Sequence, residues 1–307
     1  MTPTFRLASA ALTLAALMGA AACGQPAETP APAEQAAAIP ASADVHPFTV
    51  GELHLAALRD GELNPPVDQT PWGQASVVSD ILTEAGESGD AVHLSVQPLL
   101  VRDGDRIVLI DTGAGGQMGT ANGLPGALSA AGIAPDEVTD ILISHAHGDH
   151  VGGLLNAEGG LAYPNAVIRF SASEWAAAQA GAEAAGPLVA AITPRVETFE
   201  PGAQVTPSIT AVALDGHTPG HAGYRIASGG EELLYIGDAM HSSVISVGRP
   251  ELQNAWDSDS AAAVATRQSL AQRGVDGSLR YYGPHFPFPG VGRIERRDDA
   301  FAWVPES

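Results

Sequence analysis

The chain of 307 residues contains no lysine, and all 14 of its basic residues are arginines. Without a lysine amine there is no Schiff-base chemistry, no P-loop phosphate grip and no Ser–Lys catalysis. A single cysteine, Cys23, lies near the start. That count excludes an internal disulfide, a thiolate zinc site and a Cys nucleophile in the folded part. No Gly-x-Ser-x-Gly elbow occurs, so a serine hydrolase of that type is excluded too. Basic residues are outnumbered by 35 acidic ones, giving a net charge of −21. So acidic a surface repels a polyanion, and no nucleic-acid partner is expected.

The length allows one large domain or two smaller ones with a sizeable core. Residues 1–22 carry Arg6 and then a Leu/Ala-rich run from Leu7 to Ala22, too short for a membrane span and patterned like a secretory signal. The small residues before Cys23 resemble a bacterial lipobox, in which Cys23 becomes the lipid-bearing N-terminus. Residues 23–45 are mostly Ala, Pro, Glu and Gln, the composition of a disordered tether. The chain is therefore expected to be exported, periplasmic or outer-membrane-anchored, touching membrane only through a lipid on Cys23. The folded domain is expected over 46–307.

The richest stretch is Asp140–Gly153, where the apolar run Ile141-Leu142-Ile143 meets Ser144-His145-Ala146-His147-Gly148-Asp149-His150. The run suits a buried strand and is too short for a helix. A lone His is usually a satisfied structural residue, but three His and an Asp within six positions at a strand end are not. Imidazole and carboxylate suit zinc and similar divalent ions. Read as extended chain, the stretch puts His145, His147 and Asp149 on one side and His150 on the other, so one loop serves two adjacent metals. Gly148 allows a tight turn, and Gly152-Gly153 lets the next element pack close.

Elsewhere, Phe48–Val50 and Leu53–Leu58 read as strands ending at Asp60-Gly61. Pro65, Pro66 and Pro71 suggest that residues 64–90 form a long loop around Trp72. Val96–Val101 and Ile107–Ile110 flank a hairpin signal, Arg102-Asp103-Gly104-Asp105. Asp111-Thr112-Gly113 follows. As an aspartic-protease triplet it would need a second copy to share a proton, and the chain has none. Further strands are expected at Ala166–Phe170, Ile209–Leu214 and Leu233–Ile236, helices over 173–185 and 258–274, and a final strand and loop around Tyr281–Gly290. This alternation suits two similar α/β halves packed sheet to sheet.

His145-x-His147-x-Asp149-His150 resembles the signature of the metallo-β-lactamase superfamily, and similarity runs from about Phe48 to Ile294. Gly237-Asp238-Ala239-Met240-His241, Trp256-Asp257-Ser258-Asp259 before Thr266-Arg267, and His285–Gly292 resemble its methyl parathion hydrolase-like and lactonase branch. The resemblance implies a four-layer αβ/βα sandwich of two similar halves. It also implies two divalent ions, zinc first, with Mn, Co or Fe as alternatives. One would be held by His145, His147 and His217, the other by Asp149, His150 and His285, with Asp238 between them. Asp111 would support the metal loop from behind, and His221 would be structural. A hydroxide bridging the metals would attack a small neutral ester, either a lactone or an organophosphate triester, while Asp149 or Asp238 passes a proton to the leaving group. Trp72, Trp175, His241, Phe286 and Phe288 are the expected pocket walls, and a homodimer stays open.

Rival readings are a β-lactamase, against which Asp238 counts, and a glyoxalase II-like thioester hydrolase, for which Arg293, Arg296 and Arg297 would bind glutathione. The non-enzymatic rival is a metal-binding surface lipoprotein.

Overall fold

A computed structural model describes residues 38–277 and 279–306. The signal segment, Cys23 and the tether as far as residue 37 lie outside the described residues. The fold takes in chain ahead of His46: Ile39 is buried, and Ser42 bridges to Val45.

The first half contains β1 (Val45–Val50), β2 (Leu53–Leu58), β3 (Gly61–Leu63), α1 (Ala75–Glu84), β4 (Leu94–Val96), β5 (Leu99–Asp103), β6 (Arg106–Ile110), α2 (Leu124–Ala130), β7 (Asp140–Leu142), α3 (Gly148–Val151), β8 (Val167–Ser171), α4 (Ala172–Ala180), α5 (Ala182–Ile192) and β9 (Val196–Phe199). The second contains β10 (Gln204–Thr206), β11 (Ile209–Ala213), β12 (Ala222–Ser228), β13 (Glu231–Tyr235), α6 (Ile245–Gly248), α7 (Ser260–Gly277), β14 (Arg280–Tyr282), β15 (Val291–Arg297) and β16 (Ala300–Pro305). Two seven-stranded sheets result, in the orders β1-β2-β5-β6-β7-β8-β9 and β10 through β16, with β3-β4 a separate ribbon.

Strand periodicity builds the layers. In β6, Val108 and Ile110 face the second sheet, while Leu109 faces helices with Leu124, Leu128 and Ile192. In β13, Leu233 and Tyr235 face the first sheet, and Leu234 packs under α7 beside Leu270 and Ala271. Both faces of each sheet are therefore covered, which explains why these central strands are apolar without interruption. The outcome is the expected αβ/βα sandwich.

The halves share a plan that places the site. In each, an antiparallel meander ends in a parallel pair, β6 with β7 and β13 with β14. Parallel neighbours both end on one edge, so their outgoing loops meet there. Those loops carry Asp111, the His145–His150 segment, Asp238 and His285.

Several expectations need correction. The supposed 64–90 loop contains α1, which buries Val78 and Leu82 against Trp72 and Ile245. Pro98 separates β4 from β5, where one strand was expected. The helix expected over 173–185 breaks at Gly181, whose N–H caps Ala177. The strand and loop expected around Tyr281–Gly290 are present, but that strand is not the last, since a β15-β16 hairpin follows it.

The fold also buries one charge beneath the metal-bearing strand. Asp140 is fully buried and paired with Arg169 and, at 2.9 Å, with Arg106. Burial is the largest influence and opposes its ionisation. The Thr139 hydroxyl and the two guanidiniums outweigh it and hold the carboxyl below the usual range. A lowered carboxyl contributes stability above its unfolded pKa and loses it as pH falls through the folded value. Asp140→Asn is therefore expected to cost about 2 kcal/mol at neutral pH, because Arg169 loses its carboxylate. Urea unfolding should show the gap closing in acid, and a gap independent of pH would refute this role.

Candidate metal centre

The seven side chains expected to hold metal are brought together in two groups: His145, His147, His217 and Asp238, and Asp149, His150 and His285. The extended-chain assignment of Asp149 to the His145 side fails. Residues 148–151 form one helical turn, α3, which carries Asp149 around to His150.

Asp238 lies between the groups. Its Oδ2 is 3.6 Å from His145 Nε2 and 3.4 Å from His217 Nε2, and its Oδ1 is 3.2 Å from His150 Nε2 and 3.1 Å from His285 Nε2. Asp149 Oδ2 approaches His150 Nε2 at 3.7 Å and His285 Nε2 at 3.5 Å.

Hydrogen bonds behind the rings fix which nitrogens carry protons. His150 Nδ1 donates to Asp111 Oδ2 at 2.7 Å, and His285 Nδ1 donates to the Ser95 carbonyl at 2.7 Å. His217 Nδ1 donates to Asp257 Oδ1 at 3.2 Å. The Ser144 hydroxyl donates to Asp111 Oδ2 and so accepts from His145 Nδ1 at 3.1 Å. In the neutral, cation-binding form each ring has one N–H, so all four Nε2 atoms then present lone pairs inward. His217 Nε2 then stands 3.2 Å from His145 Nε2 and 3.0 Å from His147 Nδ1, and His285 Nε2 stands 3.3 Å from His150 Nε2. In that form no proton lies between the paired Nε2 atoms, and Asp238 Oδ1 is buried without a hydrogen-bond partner. Converging lone pairs and an orphaned carboxylate oxygen fit cations with N/O ligands.

Electrostatics also call for positive charge here. Burial opposes it on His150 and His285, yet Asp238 and Asp149, joined at His150 by Asp111, raise His150 well above and His285 above the ordinary range. Without a cation this group therefore draws a proton in its place. Burial, the largest influence on Asp238, opposes its charge, yet His150, His285, His241 and His145 hold its carboxyl well below the usual range. Burial, then the neighbouring His150, pushes His145 well down. His221 is pushed down to about 3, chiefly by burial, and is neutral. Its Nδ1 donates to the Leu214 carbonyl at 3.0 Å, leaving Nε2 to accept the Asp238 backbone N–H at 2.9 Å. His221 thus holds the Asp238 turn and stands outside both groups.

Asp111 receives four donors, namely the Ser144 N–H and hydroxyl, His150 Nδ1 and the Tyr235 hydroxyl. It achieves this in the left-handed region, with φ +60°, uncommon for a residue with a Cβ. Gly152 and Gly153 do allow close approach, since a Cβ on either would strike the Ala114 or Thr112 carbonyl.

Sequence reading assigned no role to three residues that matter here. Asp257 bridges His217 to the buried Arg267, whose Nη1 is 2.9 Å from Asp257 Oδ2. Gln97 Nε2 donates to the Gly283 and Phe286 carbonyls at 2.9 and 2.8 Å, bracing the His285 loop. Glu174, buried in α4, accepts from Ala146 N–H at 2.9 Å, the Thr218 hydroxyl at 2.7 Å and Gly220 N–H at 3.0 Å. One carboxylate therefore ties the His145–His147 loop to the His217 loop. Its only sequence signal is Ser171-x-x-Glu174, a helix-start pattern in which Ser171 Oγ accepts the Glu174 N–H. Glu174→Ala is expected to weaken metal binding about 10- to 100-fold, as losses behind metal ligands do. Competition with a chromogenic chelator measures this, and unchanged affinity would sink the role.

A cavity of about 720 Å³ opens onto the centre, walled by Leu63, Leu94, Met118 and Trp256 beside His147, Asp149, Asp238 and His241. The expected walls are largely displaced. Trp175 packs on Phe170 in the first-half core, and Phe286 is buried against Trp303. Phe288 sits under the Arg59 guanidinium. Trp72 stands one layer back, edge-on to His241 at 6.2 Å and 5.9 Å from Trp256. Only His241, among the five expected, lines the cavity.

A search of curated proteins gives no match. Among solved structures, the chain is similar to AidC, a dizinc quorum-quenching lactonase in complex with a product N-hexanoyl-L-homoserine. The identity is 28%, the TM-score 0.78, and the match covers 86% of this chain and 97% of that one. It is likewise similar to the hydrolase AbOPH of the beta lactamase superfamily, at 27% identity and TM-score 0.78, over 87% of this chain and 99% of that one. A probable metal-dependent hydrolase from Staphylococcus aureus shares the fold at 16% identity and TM-score 0.72, covering 85% and 99%. The family described as the metallo-beta-lactamase superfamily matches residues 93–285, from just before β4 through His285. Sheet order, loop placement and this match agree, and the chain belongs to the metallo-β-lactamase superfamily of metal-dependent hydrolases.

Proposed function

We propose that this chain binds two divalent cations, zinc foremost, and hydrolyses small neutral esters, either lactones or phosphotriesters. The observation that carries the reading is Asp238, which turns one oxygen to each group of histidines inside a largely apolar cavity. The likeness to AidC, a quorum-quenching lactonase, supports the lactone, and the likeness to AbOPH supports a hydrolase, both at above a quarter identity.

Cations held by these residues would supply Lewis acidity at a substrate oxygen and bring the pKa of water towards neutrality. The remaining tasks fall to the chain's own groups. His150, His217 and His285 keep their Nε2 lone pairs inward because Asp111, Asp257 and the Ser95 carbonyl hold their Nδ1 protons. Asp149 lines the cavity, so its carboxylate is placed to take a proton and return it to the leaving group. Leu63, Leu94, Met118 and Trp256 exclude water around an apolar acyl or aryl group.

No arginine lines the cavity. Arg293, Arg296 and Arg297 lie on β15, and Arg296 is committed to Gln272 and Phe301. An anionic β-lactam or glutathione thioester would find no arginine among the described residues that line the cavity. A metal store, in turn, would need no cavity.

Zinc titrated into metal-free protein, with an acyl-homoserine lactone, a p-nitrophenyl phosphotriester and nitrocefin assayed side by side, is the test. Activity on one of the first two that saturates near two zinc ions per chain is expected. Two ions bound with both esters untouched would overturn the proposal.

A further inference from the structure

His150, His217 and His285 turn Nδ1 to an acceptor, but His241 does the reverse. Its Nδ1 faces the side-chain nitrogen of Asn254, Nδ2, at 3.2 Å. The Asn254 amide cannot be turned over, because its Oδ1 accepts the Trp256 backbone N–H at 2.8 Å. Asn254 therefore donates, and His241 Nδ1 must present a lone pair. A neutral imidazole carries one N–H, so the proton of His241 is on Nε2.

That Nε2 is buried on the cavity wall, 3.2 Å from Asp238 Oδ2, with no hydrogen-bond partner. The ring is gripped by Trp72 and Trp256 and lies parallel to His285 at 6.0 Å. The His241 backbone N–H is tied to Ser246 Oγ at 3.2 Å. A proton on Nε2 bars that atom from a cation, and a rigid donor without a partner is what a substrate oxygen requires.

We infer that Asn254 positions His241 as an Nε2–H donor into the cavity, withholding it from the cations and offering it to an oxygen of the bound ester. The ester rests on the proposed hydrolase function, but the position of the proton does not.

Nitrogen-15 NMR of the zinc-loaded protein, with the His241 signals assigned by their loss in His241→Gln, reads the proton directly. The expected result is an Nε2–H and a bare Nδ1 at His241, with an Nδ1–H form emerging in Asn254→Ala. His241→Phe is expected to keep two zinc ions per chain and to lower kcat about 10²-fold with little change in KM. His241→Gln, which retains a donor, should recover part of that loss. A wild-type proton on Nδ1, zinc content falling towards one per chain in His241→Phe, or an undiminished kcat in that variant would overturn the inference. A wild-type protein that hydrolyses no ester would strike the hydrolase reading instead, and NMR and zinc counts would still judge His241.

Discussion

Asp238→Asn is expected to lower ester hydrolysis on the order of 10³-fold and to leave fewer than two cations per chain. The substitution changes one oxygen to an amide nitrogen and almost nothing in shape. Whichever way the amide turns, either the His145–His217 pair or the His150–His285 pair loses its oxygen and meets an N–H. That N–H can satisfy an inward lone pair, so the fold is kept while a cation is lost. Loss of about 4 kcal/mol of Lewis-acid stabilisation corresponds to about a thousandfold in rate. Metal analysis and kcat on the preferred ester measure the two effects together. Two retained cations with an undiminished rate would show that Asp238 does not join the groups.

Chelation should produce the second large effect, on stability as well as rate. A ligand held only by the folded state, at a thousand times its Kd, adds about 4 kcal/mol for one site. Stripping the cations should therefore lower the unfolding midpoint by many degrees and abolish hydrolysis, and zinc should restore both. The loss should be steep because the lone pairs of His145 and His217 then face one another without a counter-charge. Equal thermal midpoints with and without chelator would refute it.

The centre was legible because its ligands lie in short motifs at strand ends. The His145–His150 run announces itself locally, whereas His217, Asp238 and His285 were reached through the family resemblance, each as a lone polar residue at a turn or strand end. What stayed hidden depends on distant contacts. Glu174 reads as a helix-start residue, and only the approach of the His217 loop gives its carboxylate two further tasks. The pocket walls were misplaced because an aromatic beside a ligand need not share its direction. Phe286 follows His285 directly, yet it points to Trp303 while His285 points to Asp238. Trp256 sits in an aperiodic segment and gave no local sign of standing at the cavity. α1 was obscured by the prolines that precede it, although Ala75–Glu84 contains none.

Each group of ligands draws on both halves of the chain. The first half supplies His145, His147, Asp149 and His150, and the second supplies His217, Asp238 and His285. On the proposed reading neither group is complete until Asp238 or His285 has been made, so capture of both cations would wait for the most distant member. Uptake of the full proposed complement would then report that the two sheets have closed on each other.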